Sequence, residues 1–167
     1  MITYKQGNLF EDLGDKPTLI LHVCNDAGGW GSGFVLAIDK YCGNNPQTKY
    51  RKWYADREYV DKQGNKIPFK LGQVYGVSTN KPNVCVINMI AQSTPRGVSF
   101  EVDNRVVFIP PIRYQCLEEC LYRIKEGAPK HYQLVGPKFG SGLAGGSWDV
   151  IAGLIDTVGL DITIYEV

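Results

Sequence analysis

This chain of 167 residues has no long apolar run, no large excess of charge of either sign and no regular spacing of cysteine. No apolar stretch approaches the ~20 residues that a membrane-spanning helix needs. Lys and Arg number 18 against 17 Asp and Glu, a net charge of +1, which provides no broad basic surface for nucleic acid. The first residues show no secretory leader. We therefore expect a cytoplasmic protein without a membrane or nucleic-acid partner.

Cysteine and histidine are too few and too irregularly placed for a structural framework. Five cysteines without C-x-x-C spacing do not fit paired disulfides, and two histidines far apart do not fit a zinc site. Cys116 and Cys120 are four apart and would share one face of a helix, where a thiol packs as a small apolar group. We expect reduced thiols, no metal site and no cofactor.

What the chain does contain is an alternation of strand-like and helix-like segments. Residues 18–24 are nearly all apolar, which is typical of a strand buried on both faces of a mainly parallel sheet. Further strands are predicted at 2–6, 71–78, 83–89, 133–138 and 161–167, and helices at 34–41, 46–59, 114–125 and from an N-cap at Ser147 to 158. No linker or repeat divides the sequence, so we predict one α/β domain over 1–167.

Two of the predicted strand-to-helix junctions are rich in glycine, at residues 25–33 and 139–146. In an open α/β sheet, ligands bind at the carboxyl ends of the strands, and the amides that open a helix bind phosphate. Two such loops facing each other suit a diphosphate better than a single phosphate. One loop alone could be merely a tight turn, but that interpretation is less favoured for two.

A nicotinamide or flavin site is the obvious alternative for the first loop. Gly31 and Gly33 supply the first two glycines of G-x-G-x-x-G, but Leu36 occupies the third position. The loop also follows the second predicted strand and not the first. The dinucleotide-binding pattern is therefore weak.

Four segments resemble macrodomains, in the order in which that family has them. Residues 22–34 resemble the first ligand loop, 2–9 the opening strand and adenine-side turn, 137–148 the second phosphate loop, and 161–165 the last strand. The resemblance is closest to the branch of the yeast ADP-ribose-1″-phosphate phosphatase and the terminal ADP-ribose protein glycohydrolase, and it is poor over 46–113. It implies a three-layer α/β/α sandwich with a mixed, mostly parallel sheet, and ADP-ribose as the ligand.

The resemblance also implies which residues contact that ligand. Those expected near the adenine are Asn8, Leu9, Tyr165 and Glu166. Those expected around the distal ribose and its phosphate are Cys24, Asn25, Gly29, Trp30, Gly31, Ser32, Gly33 and Phe34. Those expected at the diphosphate, chiefly through backbone amides, are Gly140, Ser141, Gly142, Leu143 and Ala144. Trp30 could cover the ribose or simply pack at the edge of the site.

Catalysis has less support in these residues. Gln92 and Ala144 stand where the glycohydrolase uses Lys and Asp, and Gln cannot form a Schiff base. His22 matches a histidine implicated in the phosphatase, although a buried, inert strand histidine is the alternative. The sequence favours a hydrolase that converts ADP-ribose-1″-phosphate to ADP-ribose and phosphate. A non-catalytic ADP-ribose binding module and a glycohydrolase that works without the lysine mechanism remain alternatives.

Overall fold

The computed structural model describes residues 1–94 and 97–167. The strands of this part are β1 Ile2–Gln6, β2 Thr18–Asn25, β3 Glu58–Val60, β4 Lys66–Pro68, β5 Val74–Ser78, β6 Val84–Gln92, β7 Val98–Val102, β8 Arg105–Ile109, β9 Gln133–Gly136 and β10 Ile162–Glu166. The helices are α1 Phe34–Cys42, α2 Asn45–Asp56, α3 Tyr114–Gly127 and α4 Trp148–Val158, with a 3₁₀ turn at Leu9–Asp12.

Six strands form one mixed sheet in the order β1-β10-β9-β2-β6-β5. Neighbouring strands are parallel except β5, which pairs antiparallel with β6. The pairing of β2 with β6 sets His22 opposite Asn88, and the register shifts between Cys24 and Asn25, so that Asn25 lies opposite Gln92. The mostly parallel sheet brings the carboxyl ends of β2, β6 and β9 to one edge.

Helices cover both faces of the sheet, which gives the three layers that the sequence predicted. Side chains of β2 alternate between two apolar cores, as the two-residue period of a strand requires. Leu19 and Leu21 pack into the core that contains α3 and α4, whereas Ile20 and Cys24 pack into the core that contains α1 and α2. The predicted burial of this strand on both faces is confirmed.

The structure corrects several element boundaries, among them the start of β5 at Val74 and the end of β6 at Gln92, and adds two hairpins. The helix predicted over 46–59 ends at Asp56, because Arg57 adopts a left-handed conformation with φ 65°. Tyr59 then lies in β3 and stacks on Tyr75 with ring centroids 3.5 Å apart. The strand predicted over 133–138 ends at Gly136, before Pro137, which has no N–H to donate to a neighbouring strand. The hairpins β3–β4 and β7–β8 were not predicted.

Further features of the fold are the cap of α4, the thiols and the remaining side-chain clusters. Ser147 is the N-cap residue of α4, as predicted, but its side chain makes no capping hydrogen bond. The five cysteines are free thiols, and Cys120 is buried in α3. Among the described residues, no group of three His, Cys, Asp or Glu side chains could hold a metal ion. No helix in the same part of the chain is both long and apolar enough to span a membrane.

Candidate functional site

A cavity of about 770 Å³ lies where the two glycine-rich loops meet at the carboxyl ends of β2, β6 and β9. The loop at residues 26–33 is called the first loop and that at 139–146 the second loop. The lining residues are 22–25, 29–35, 92, 137–140 and 142–144. Most of the ligand-contacting residues predicted from the sequence are therefore brought together around one space.

The first loop is shaped by the Asn25 side chain, which is 9% exposed. Its Oδ1 accepts hydrogen bonds from the backbone N–H of Ala27 at 2.9 Å and of Gly29 at 3.1 Å, and its Nδ2 donates to the Gly29 carbonyl at 3.0 Å. From α2, the Tyr50 hydroxyl lies 3.0 Å from Oδ1 and donates to the Asn25 carbonyl at 2.6 Å. Asn25 therefore positions the loop by folding the backbone around its own amide.

Trp30 forms a fixed wall of the cavity. The indole is 4% exposed, and its Nε1 donates to both carboxylate oxygens of Asp39, at 3.1 and 3.2 Å. Its ring meets the His22 ring edge-on at 5.4 Å between centroids and lies tilted against Tyr50 at 5.6 Å. These contacts fix the indole against its neighbours, and contact of Trp30 with the distal ribose stays a prediction.

Among the described residues, both loops contain backbone N–H groups without a protein acceptor, on residues that line the cavity. In the described chain, the N–H groups of Gly31, Ser32, Gly33 and Phe34, and those of Gly142, Leu143 and Ala144, donate to no protein acceptor. Gly33 is the N-cap of α1 with φ 80°, and a Cβ there would lie 3.1 Å from Leu143 Cδ1. Unpaired amides together with the positive end of a helix dipole favour an anion.

His22 is buried next to this space and is 2% exposed. Its Nε2 lies 2.6 Å from Asn88 Oδ1, and Asn88 Nδ2 donates to the Pro46 carbonyl at 3.2 Å. This orientation of the Asn88 amide requires His22 Nε2 to carry the proton and to donate it. Within the described residues, Nδ1 has no hydrogen-bond partner. Burial lowers the pKa of His22 to about 4, so the imidazole is neutral at pH 7.

Cys24 adjoins the histidine but does not form a nucleophilic pair with it. Its Sγ lies 3.7 Å from His22 Nε2, the nitrogen whose proton is already donated to Asn88. Burial raises the pKa of the Cys24 thiol well above its usual range. A thiolate nucleophile is therefore strongly disfavoured at this position.

Comparison with solved structures identifies the fold and the family. A Bacteroides thetaiotaomicron protein of unknown function is 31% identical with a TM-score of 0.81, the match covering 100% of this chain and 98% of the other. A macrodomain protein from Streptomyces coelicolor is 32% identical with a TM-score of 0.72, and the match covers 100% of this chain and 99% of that one. This chain belongs to the macrodomain family.

A more distant match shares only the fold of this macrodomain. Thermosipho africanus DarTG, solved in complex with ADP-ribose, is 13% identical with a TM-score of 0.63. The match covers 98% of this chain and 41% of that one. No family model and no curated protein matches the sequence.

Five of the predicted contact residues are not among those lining the cavity: Asn8, Leu9, Ser141, Tyr165 and Glu166. Asn8 Oδ1 caps the 3₁₀ turn by accepting from the Phe10 N–H at 2.9 Å, and Leu9 is buried. Tyr165 donates to Asp12 at 2.9 Å, and Ser141 Oγ donates to the Lys138 carbonyl at 2.6 Å. Their roles at a ligand stay predictions.

Lys138 lines the cavity of this macrodomain but is not among the contact residues predicted from the sequence. Its Nζ lies 3.3 Å from Glu166 Oε2, an ion pair that links the lining to the end of β10. It is the only basic residue of the segment 137–148, and that composition could have revealed it. Asn88, Tyr50 and Asp39 were also missed, because each acts through partners distant in sequence.

Candidate acid–base groups are few. Among the described residues, no Asp or Glu lines the cavity. Asp26, the nearest carboxylate in the sequence, accepts from the Thr94 N–H at 2.8 Å. Gln92 and Ala144 do line the cavity, and neither side chain can move a proton at neutral pH.

Proposed function

We propose that this macrodomain binds ADP-ribose, with the diphosphate held between the first and second loops. The observation that carries the proposal is that each loop has several backbone N–H groups without a protein acceptor in the described chain, on residues that line one cavity. Such donors bind phosphate oxygens without a large net charge on the protein. Membership of the macrodomain family and the ADP-ribose bound to Thermosipho africanus DarTG support the same ligand.

The residues that the macrodomain resemblance implies for the adenine and for the distal ribose support one orientation of the ligand. The cavity of about 770 Å³ is within the size range of small-molecule sites and crosses the carboxyl ends of β9, β2 and β6. We infer that the adenine lies on the β10 side, near Tyr165 and Glu166. The distal ribose then lies on the β6 side, near Asn25 and Gln92. Lys138, which is paired with Glu166 at 3.3 Å, is a cationic side chain beside the proposed diphosphate position.

Substitution of Gly33 by Glu tests this site. The side chain would enter the narrow gap beside Leu143 and place a carboxylate among the phosphate-binding amides. Isothermal calorimetry is expected to show at least a ~100-fold loss of ADP-ribose affinity. Gly127→Glu makes the same change at the end of α3, where a Cβ has open space, and should leave the affinity within about twofold of wild type. Equal affinities of the two variants would refute the site.

One observation favours a second function, hydrolysis of a phosphate ester such as ADP-ribose-1″-phosphate. His22 Nδ1 is an unprotonated, buried nitrogen with no partner in the described chain, on a residue that lines the cavity, so a substrate would reach it only if the neighbouring Trp30 or Phe34 ring moved. A neutral imidazole can act as nucleophile or base but has no proton to give a leaving group. Assignment of the chain to the branch of the yeast phosphatase would fit this chemistry.

Phosphate release distinguishes the hydrolase from the binding module. Wild type and His22→Gln are compared with ADP-ribose-1″-phosphate as substrate, since Gln keeps an N–H donor for Asn88. Release that is lost in the variant, with ADP-ribose affinity retained, supports the hydrolase. Wild type that binds ADP-ribose but releases no phosphate supports a binding module. A glycohydrolase would have to rely on its substrate for acid–base chemistry, because Gln92 and Ala144 supply none.

A further inference from the structure

The β7–β8 hairpin is apolar and exposed, in contrast to the rest of the sheet structure. Val106 is 75% exposed and Phe108 59% exposed, and neither apolar core includes a residue of β7 or β8. The other exposed apolar residues of this hairpin are Val98, Phe100, Val102, Val107 and Ile109. A two-stranded ribbon is marginally stable in water, and clustered exposed apolar side chains mark interaction sites. The exposed hairpin is therefore a candidate binding surface.

The register divides the hairpin into two unlike faces. Val98 pairs with Ile109, Phe100 with Val107 and Val102 with Arg105. Side chains that are paired across antiparallel strands share a face, so Val98, Phe100, Val102, Val107 and Ile109 form one face that is apolar apart from Arg105 at its turn end. The opposite face mixes Ser99 and Glu101 with Val106 and Phe108. The apolar face is the candidate binding surface.

The base of the hairpin is attached to the wall of the cavity. Gln92 bridges to Ile112, and the Ile112 N–H donates to the Ala144 carbonyl at 3.0 Å. The Ser93 N–H donates to the Pro111 carbonyl at 2.9 Å. Gln92 and Ala144 both line the cavity. The hairpin therefore projects from the β6 side, where the distal ribose is placed.

The size of the apolar face selects the kind of partner. Two strands of five residues cover about 17 by 10 Å, roughly 170 Å² of footprint, from standard strand spacings. A stable dimer buries about 800 Å² of accessible surface on each partner, which requires contacts well beyond one face of this hairpin. The face is therefore too small to hold a second copy of the chain, but it matches one extended peptide strand. Such a strand can also pair with an open edge of the hairpin.

We propose that the apolar face of the β7–β8 hairpin binds an extended apolar segment of a protein that carries ADP-ribose, beside the modified side chain. This proposal rests on the proposed function, because ADP-ribose in the cavity delivers the segment to the hairpin. The attached protein leaves the ligand at the distal ribose, which is the end that adjoins the hairpin. Two linked contacts then bind more tightly than either one alone.

The test uses two synthetic conjugates in which the distal ribose is joined to a hexapeptide by a non-hydrolysable linker. One peptide carries Val and Phe beside the linker and the other carries Ser and Gly. Calorimetry measures both conjugates and free ADP-ribose with wild type, Phe100→Ser, Val107→Ser and the matched control Val106→Ser. Val106 and Val107 are adjacent but lie on opposite faces.

Wild type and Val106→Ser are expected to bind the Val-Phe conjugate at least ~10-fold more tightly than free ADP-ribose or the Ser-Gly conjugate. Phe100→Ser and Val107→Ser should lose this advantage and keep the affinity for free ADP-ribose, which also shows that they are folded. Equal affinity of wild type for the two conjugates overturns the proposal. So does a wild-type dimer in light scattering that Phe100→Ser dissociates. If wild type fails to bind free ADP-ribose, the proposed function itself is refuted.

Discussion

The two glycine-rich loops border the same cavity but are built by different means. Side chains hold the first loop, through the Asn25 amide, the Tyr50 hydroxyl and the Trp30–Asp39 hydrogen bonds. The second loop is held mainly by its own backbone. The Gly145 N–H donates to the Gly142 carbonyl at 3.0 Å, and the Gly146 N–H donates to the Gly140 carbonyl at 2.8 Å.

This difference determines which kind of substitution should disrupt each loop. The first loop depends on polar side chains that are buried, so truncation of one of them leaves several unsatisfied partners. The second loop depends on close approach of the backbone to its neighbours. A Cβ at Gly140 would lie 2.9 Å from Ile151 Cδ1, and one at Gly146 would lie 2.5 Å from the Gly140 carbonyl oxygen. Loss of atoms should damage the first loop and gain of atoms the second.

Asn25→Ala is expected to have the largest effect. It removes three hydrogen bonds, one to the Ala27 N–H and two to the backbone N–H and carbonyl of Gly29, and leaves the buried Tyr50 hydroxyl with its bond to the residue 25 carbonyl. At about 1 kcal/mol for each bond, and more for buried groups left unsatisfied, the free energy of unfolding should fall by at least ~3 kcal/mol. ADP-ribose affinity should fall with it, because the amides of the first loop lose their arrangement. Urea unfolding and calorimetry measure the two effects.

Asn45→Ala is the control for this change. Asn45 Nδ2 bonds to Ser78 at the surface, so the same substitution should cost less than about 1 kcal/mol and leave ADP-ribose affinity unchanged. If Asn25→Ala costs no more than Asn45→Ala, the first loop is not held by its side chains.

His22 extends the comparison to pH, since it packs behind the first loop. Its pKa is about 4 in the folded chain, below the ordinary value of 6.5, so the unfolded chain binds the proton first. The contribution of His22 to the free energy of unfolding is therefore fully present above pH 6.5. It is lost as the pH drops toward 4, by about 3 kcal/mol in total. A protonated ring would bury a second N–H that has no acceptor among the described residues.

His22→Gln should remove this part of the pH dependence, because the amide does not titrate. Urea unfolding between pH 4 and 7.5 measures both proteins, and the difference between the two curves excludes the carboxylates that titrate in each. Parallel curves would mean that His22 keeps an ordinary pKa in the fold.

The sequence predicted the parts of this site that depend on local pattern. The apolar run at 18–24 identified β2, and glycine spacing identified both loops together with their amides. It did not predict the supports of the first loop, because Tyr50 and Asp39 reach it only after α1 and α2 have packed. Burial of His22 and its bond to Asn88 likewise require the β2–β6 pairing.

The β7–β8 hairpin was missed although its sequence contains a usable pattern. Two strand-like segments flank Asp103 and Asn104, which both adopt positive φ, at 50° and 63°. A two-residue turn of this kind between β-branched and aromatic residues is a recognised hairpin pattern. The exposure of both faces could not be predicted, because apolar strand residues normally indicate burial.

The smallest expected change in stability comes from adding a methyl group to the second loop at two different glycines. Gly145 has φ 72°, and a Cβ there would lie 2.9 Å from Pro110 Cβ, so Gly145→Ala should cost about 2 kcal/mol. Gly142→Ala adds the same methyl group where a Cβ has open space, and should change stability by less than about 0.5 kcal/mol. Thermal and urea unfolding compare the two variants. Equal costs in stability would show that the second loop tolerates added atoms at both positions. Close approach of its backbone to neighbouring residues would then not be what holds the second loop, and the proposed difference between the two loops would be wrong.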